Sequence, residues 1–120
     1  MDKMQALHAF WAQFGWPAYD ETSVPDTAKL PYITHESSED NFDHTIAQTA
    51  SIWSRSTSWA EAVSMQKDIE AAIGRGGVFQ PFDGGSIWIK RGQPFAQRMA
   101  DDSSDTIRRI VLNIETEFID

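Results

Sequence analysis

Cysteine is missing from all 120 residues, which excludes disulfides and thiolate metal sites and leaves the redox compartment open. Long apolar runs are missing too, and nothing approaches the roughly 18 residues needed to span a bilayer. The opening MDKMQALHAFW has neither the uninterrupted apolar core nor the small-residue cleavage site of a secretory signal. The expectation is a soluble protein made in the cytoplasm, with no membrane partner. Positive charge is scarce: 10 Lys and Arg against 18 Asp and Glu leave a net −8, a potential that repels phosphate backbones and anionic lipid. Neither GRGG nor DGG ends in the Gly-Lys-Ser/Thr of a phosphate loop. The first also follows a helix rather than preceding one, so no helix N-terminus faces it. No serine sits in a nucleophile elbow, and there is no internal repeat or low-complexity tract.

The residues that are present, 41% of them apolar, suit one compact domain over residues 1–120, long enough to bury roughly two-thirds of its unfolded surface. Residues 3–14 read as an amphipathic helix, with Asp2 and Gln5 as a capping box and Met4, Leu7, Trp11 and Phe14 on one stripe. PAYDETSVPDTAKLP, with three prolines, reads as a loop. Residues 31–36 and 44–56 read as two antiparallel strands joined by the polar turn SSEDNFD. The clearest local signal is a helix over 59–73, opened by a Ser58–Glu61 capping box, lined by Ala62, Met65, Ile69, Ala72 and Ile73, and stopped by Gly74. VFQPF and SIWIKR around DGG predict a hairpin over 78–91. Over 106–119, Ile110, Leu112, Ile114, Thr116 and Phe118 alternate with Arg109, Val111, Asn113, Glu115 and Glu117, the period of a strand with one buried face. The order predicts an α+β fold, a mainly antiparallel sheet with two helices packed on one face.

All but one of the glycines lie between Gly74 and Met99, beside large aromatics and basic side chains. A helix stop and a hairpin turn account for the glycines. Arg75, Lys90, Arg91 and Arg98 interleaved with Phe79, Phe82, Trp88 and Phe95 would suit a single-stranded nucleic-acid binder, but the strongly acidic remainder opposes it. His35 with Glu36, or Asp40 with Asp43 and His44, would suit a metal-dependent hydrolase, although no ligand spacing names a metal. His8, one turn before Trp11, reads as a boundary residue. No catalytic residue, metal or cofactor is therefore expected. Protein contact remains. If Ile87 and Ile89 point inward, Trp88 and Lys90 point outward, and Trp53 alternates away from Ile52. Exposed tryptophan and arginine dominate interface energetics. The expected interface set is Trp53, Trp88, Lys90, Arg91, Phe95, Arg98 and Arg109, with Arg108 as a further cation for acidic neighbours.

The blocks FWAQFGWPAYDE, VPDTAKLPYITHE, ASIWSRSTSWAEA, FDGGSIWIKRGQPFAQRM and IRRIVLNIETEF span nearly the whole chain. Together they resemble the small structural proteins of long-tailed phages and prophages, most closely tail-terminator or tail-completion proteins. The resemblance implies an α+β virion subunit that forms a homo-oligomeric ring, typically a hexamer, at the head-proximal end of the tail. Such a ring meets the major tail protein on one side and a head-completion or connector protein on the other. It is built in the host cytoplasm and ends in the neck of the virion. Head–tail joining and minor capsid proteins have similar length and mixed α/β character. A ring of acidic subunits would let genomic DNA pass without specific binding, by like-charge repulsion along its lumen. Glu39, Asp40, Asp43, Glu115 and Glu117 are the candidates to line it.

Overall fold

The computed structural model describes residues 1–39, 44–99 and 105–120. The order is α1 (Lys3–Ala12), β1 (Ala18–Asp20), β2 (Tyr32–His35), β3 (Thr45–Arg55), α2 (Ala60–Ile73), β4 (Val78–Phe82), β5 (Gly85–Met99) and β6 (Ile107–Ile119). These strands form one six-stranded sheet in the order β1-β2-β3-β6-β5-β4.

The α+β class agrees with the expectation, but the sheet is mixed rather than antiparallel throughout. Strand β1 lies within the segment expected to be a loop and pairs parallel to β2, Ala18 opposite Ile33 and Asp20 opposite His35. Three residues between prolines carry no alternation to read. What makes them a strand is the partner: the Pro17 carbonyl accepts from Ile33 N–H at 2.8 Å, and the His35 carbonyl from Glu21 N–H at 2.9 Å. The other four pairings are antiparallel.

Three element ends also differ from expectation. Helix α1 stops at Ala12, so Phe14 packs from beyond it. Gln13 Nε2 donates to the Phe10 carbonyl at 2.9 Å, satisfying a helix-end acceptor. The Asp2–Gln5 capping box forms as expected. Helix α2 begins at Ala60 rather than Trp59, and Trp59 itself carries no side-chain cap bond. Ser58 Oγ instead accepts from Ala60 N–H at 3.1 Å, so the Ser58–Glu61 box is not how this helix starts. Strand β5 runs on to Met99, well past the Arg91 expected to end the hairpin. Gly92 and Pro94 read as breakers, yet they form an irregularity between Arg91 and Ala96, after which pairing with β6 resumes. Gly92 allows this because a Cβ there would lie 2.9 Å from the Asn113 carbonyl oxygen. Asn113 Nδ2 in turn donates to the Pro94 carbonyl at 2.8 Å.

Alternation then sorts the sheet into two faces. Ile33, Ile52, Ile87, Ile89, Ile110, Leu112, Ile114 and Phe118 share one core with Ala6, Leu7, Phe10 and Trp11 of α1 and Ala62, Met65, Ile69 and Ile73 of α2. One buried polar pair joins them: Gln48 Nε2 donates to Thr116 Oγ1 at 2.8 Å. Helix α2 lies on β3, β6 and β5, whereas α1 touches β1 and β2 at one side of the sheet and β4 and β5 at the other. The sheet therefore curls round α1 into a half-barrel, concave toward the helices. Among the described residues no helix lies on its convex face.

Candidate interaction surface

The uncovered face holds two aromatic clusters, each assembled across strands. The first is built on Trp53, whose register partners are Tyr32 on β2 and Arg109 on β6. The Arg109 guanidinium lies 4.7 Å from the indole centroid, and Tyr32 lies at 6.5 Å on the other side. Tyr19 of β1 extends the row with an edge-to-face contact to Tyr32 at 5.6 Å. Trp53 Nε1–H donates to Thr34 Oγ1 at 3.0 Å, and Arg109 Nε to Ser51 Oγ at 3.2 Å. These bonds hold both side chains flat on the sheet and half-buried.

The second cluster is built on Trp88 of β5. Phe79 of β4, opposite it in register, stacks on the indole with 5.6 Å between centroids and a 16° interplanar angle. Lys90 Nζ sits 4.2 Å from the same ring, a cation–π contact. Trp88 Nε1–H donates to the Gly76 carbonyl at 3.0 Å. The ring is thus anchored by the loop before β4 while Phe79 stays 55% exposed.

The candidates named from the sequence separate in space. Trp53, Trp88, Lys90 and Arg109 share the convex face, because even spacing along a strand and direct register both preserve the face. Glu115 and Glu117 share it too: Glu115 lies opposite Lys90, and Glu117 lies opposite Trp88 and accepts from Thr45 Oγ1 at 3.1 Å. Acidic and basic candidates thus alternate on one surface. Arg91 and Arg98 lie toward the helices. Arg91 Nη1 is 3.8 Å from Glu70 Oε1 of α2. Arg98 and Arg108 approach Trp59 at 5.1 and 5.4 Å, and Arg108 Nη2 donates to the Thr57 carbonyl at 2.9 Å. Phe95 packs against the core from the β5 irregularity. Glu39 lines a depression with Asp2, Lys3, Phe82, Asp83 and Asp120. Asp40 and Asp43 lie outside the described residues.

Tyr19, Tyr32 and Phe79 join these clusters without having been singled out as interface residues by their sequence pattern. The alternation of Tyr32 and Thr34 in PYITHE is a usable signal for one of them. Tyr19 has none, because its strand is defined only by its partner.

A histidine pair lies on the concave side. His8 Nδ1 of α1 is 3.2 Å from His35 Nε2, and His35 Nδ1 is 3.1 Å from the Glu36 carbonyl oxygen. His35 is buried and stacked on Trp11. Burial pushes its pKa below the usual 6.5, with the His8 charge adding to the effect, while the Glu36 carbonyl and Asp20 oppose it. The Asp20 carboxyl is held at about 2, mainly by the Ser37 hydroxyl and then by the Thr22 hydroxyl and amide. Among the described residues no three His, Asp or Glu side chains gather as a metal-holding group, and no helix is long and apolar enough to cross a membrane.

A pH dependence follows from His35. Below pH 6.5 the unfolded chain protonates this ring while the folded protein resists, so the unfolded state binds more protons and stability falls with pH. Thermal midpoints measured from pH 7.5 down to 5 are expected to decline, and His35→Gln is expected to flatten the part of that decline that starts near 6.5. An unchanged slope in the variant would assign the decline to other groups.

No family model matches the chain, and no curated protein matches it. Among solved structures, a chain of the virion of a native gene transfer agent (GTA) particle superposes with a TM-score of 0.57. The two share 19% identity, and the match covers 95% of this chain and 89% of that one. At that identity the likeness is one of fold. The class defined is a curled α+β sheet with two helices in its concave side.

Proposed function

We propose that this chain is a non-enzymatic structural subunit of a phage-like virion. The observation that carries the reading is the fold shared over almost the full length of both chains with a gene transfer agent virion chain. Within that class the reading is a tail terminator or tail-completion subunit. It forms a homo-oligomeric ring, a hexamer, at the head-proximal end of the tail, binds the major tail protein and presents a surface to the head-completion protein. The bare convex face supports this, because half-buried Trp53 and Trp88 beside Arg109 and Lys90 are the side chains that dominate protein interfaces. The net charge of −8 supports a lumen that passes DNA without holding it.

Sedimentation velocity across a concentration series, with and without purified tail tubes, tests the reading. Rings, or subunits that cap tube ends, are expected. A strict monomer with no affinity for tubes overturns it. Trp88→Ser is expected to weaken assembly by about thirtyfold or more, yet to cost only about 1–2 kcal/mol of folding free energy, since the ring is half-exposed and loses one hydrogen bond. Collapse of the fold in this variant would instead make Trp88 a structural residue.

A further inference from the structure

The hairpin of β4 and β5 is electrically polar from end to end. At the start of β4, a recess of about 530 Å³ is lined by Arg75, Lys90 and Arg91, with Glu115 as its one carboxylate among the described residues and Gly76 and Gly92 opening its wall. Arg75 is exposed and makes no hydrogen bond or ion pair among the described residues. Three of the ten basic residues therefore meet in one place on a chain of net charge −8. At the other end of β4, about 13 Å away at 3.3 Å per residue, the turn carries Asp83. Its side chain is 86% exposed. Asp2, Glu39 and Asp120 surround the same corner, with Lys3 bonded to Asp120 at 2.9 Å and the Met1 ammonium to Asp83.

We infer that copies of this chain associate head to tail along the β4 edge, the Asp83 turn of one copy seating in the Arg75–Lys90–Arg91 recess of the next. The inference rests on the subunit reading above and specifies its contact. Charge complementarity selects the occupant: the carboxylates at one end of the edge match the cations at the other, so a second copy carries the counter-charge each end needs. An antiparallel two-fold pairing would join the same ends but close at a dimer, so it is the ring reading that selects head-to-tail contact. An interface of two different patches is heterologous, the kind that closes into rings when the rotation per subunit permits. Phe79, the exposed apolar side chain on this edge, lies between the two charged ends and supplies the area that charge alone does not. Opposite charge at both ends also sets the rate and register of encounter.

The test uses Arg75→Glu and Asp83→Lys on the full chain, with circular dichroism to verify folding and sedimentation equilibrium at low and high salt to read association. Each variant is expected to weaken self-association by about tenfold or more, and wild-type association is expected to weaken by a similar factor in high salt. Mixed one to one, the two variants are expected to regain assembly, since the unaltered Asp83 turn of one meets the unaltered recess of the other and the two exchanged charges also match. The double variant R75E/D83K is expected to regain assembly. Single variants that associate like wild type overturn the inference and leave the subunit reading standing. So do two folded single variants whose mixture stays monomeric and whose double variant does not recover. A wild-type chain that remains monomeric up to about millimolar at low salt also overturns it. In that last case, capping of tail tubes still decides the subunit reading separately.

Discussion

Trp11→Ala is expected to remove about 3–5 kcal/mol of folding free energy. Trp11 is 1% exposed and packs edge-to-face on Phe10 with 5.0 Å between centroids. Its helix occupies the concave side of the half-barrel and touches both margins of the sheet. Removing the indole leaves a cavity bounded by a helix and a curled sheet, neither of which can collapse into it without breaking the curl. Single domains are stable by about 5–15 kcal/mol, so the variant is expected to be partly unfolded at 37 °C. Urea denaturation followed by circular dichroism reads the loss. A change below about 1 kcal/mol would mean that α1 is not docked in solution. The partly buried Met4 on the same helix is the internal comparison, and Met4→Ala should cost clearly less.

The second large effect is at Gly77. Its φ is +89°, which side-chain-bearing residues adopt at a cost of about 1–2 kcal/mol. A Cβ there would lie 2.6 Å from Trp88 Nε1 and 2.7 Å from the Ile89 carbonyl oxygen, adding an overpacking cost of about 1–3 kcal/mol. Gly77→Ala is therefore expected to destabilise by about 2–5 kcal/mol, to break the bond from Trp88 to the Gly76 carbonyl, and to loosen Phe79 with it. Thermal unfolding measures the first effect, and the Trp88 indole N–H resonance measures the second. If that resonance keeps its position, the loop has absorbed the methyl group elsewhere. Because the same loop carries Arg75, Gly77→Ala is also expected to weaken association more than its stability loss explains.

Elements whose pattern lies within their own residues are legible in the sequence. The alternation over Ile110–Phe118 places each of those five side chains in the core. The 3.6-residue spacing in α2 identifies Ala62, Met65, Ile69 and Ile73, and DGG marks the turn between β4 and β5. Outward Trp88 and Trp53 follow from the same period of two. Residues 18–20 are not legible, since their strand character comes from β2. Nor is the second half of β5, where Gly92 and Pro94 argue locally for a loop and the pairing of Ala96–Met99 with β6 prevails. The capping of α2 differs for a smaller reason. A Ser-x-x-Glu spacing permits a box, but the backbone path into the helix decides which amide the hydroxyl reaches.

The candidate surface shows the same division more sharply. Residue types are readable: aromatic, basic and acidic positions can all be named from the sequence. Their grouping cannot. Arg109 reaches Trp53 and Arg98 reaches Trp59, although residue type alone places both arginines in one patch. Glu115 and Glu117 lie beside Lys90 and Trp88 rather than on a separate wall. Sequence by itself determined the helices, the strand faces, the acidity and the absence of thiol chemistry, because each depends on neighbours within a few positions or on composition. Tertiary structure alone decided the parallel β1 pairing, the curl round α1, and the polarity of the β4 edge. Each of those depends on which distant segments meet, and strand register is a sum of long-range contacts that no local period encodes.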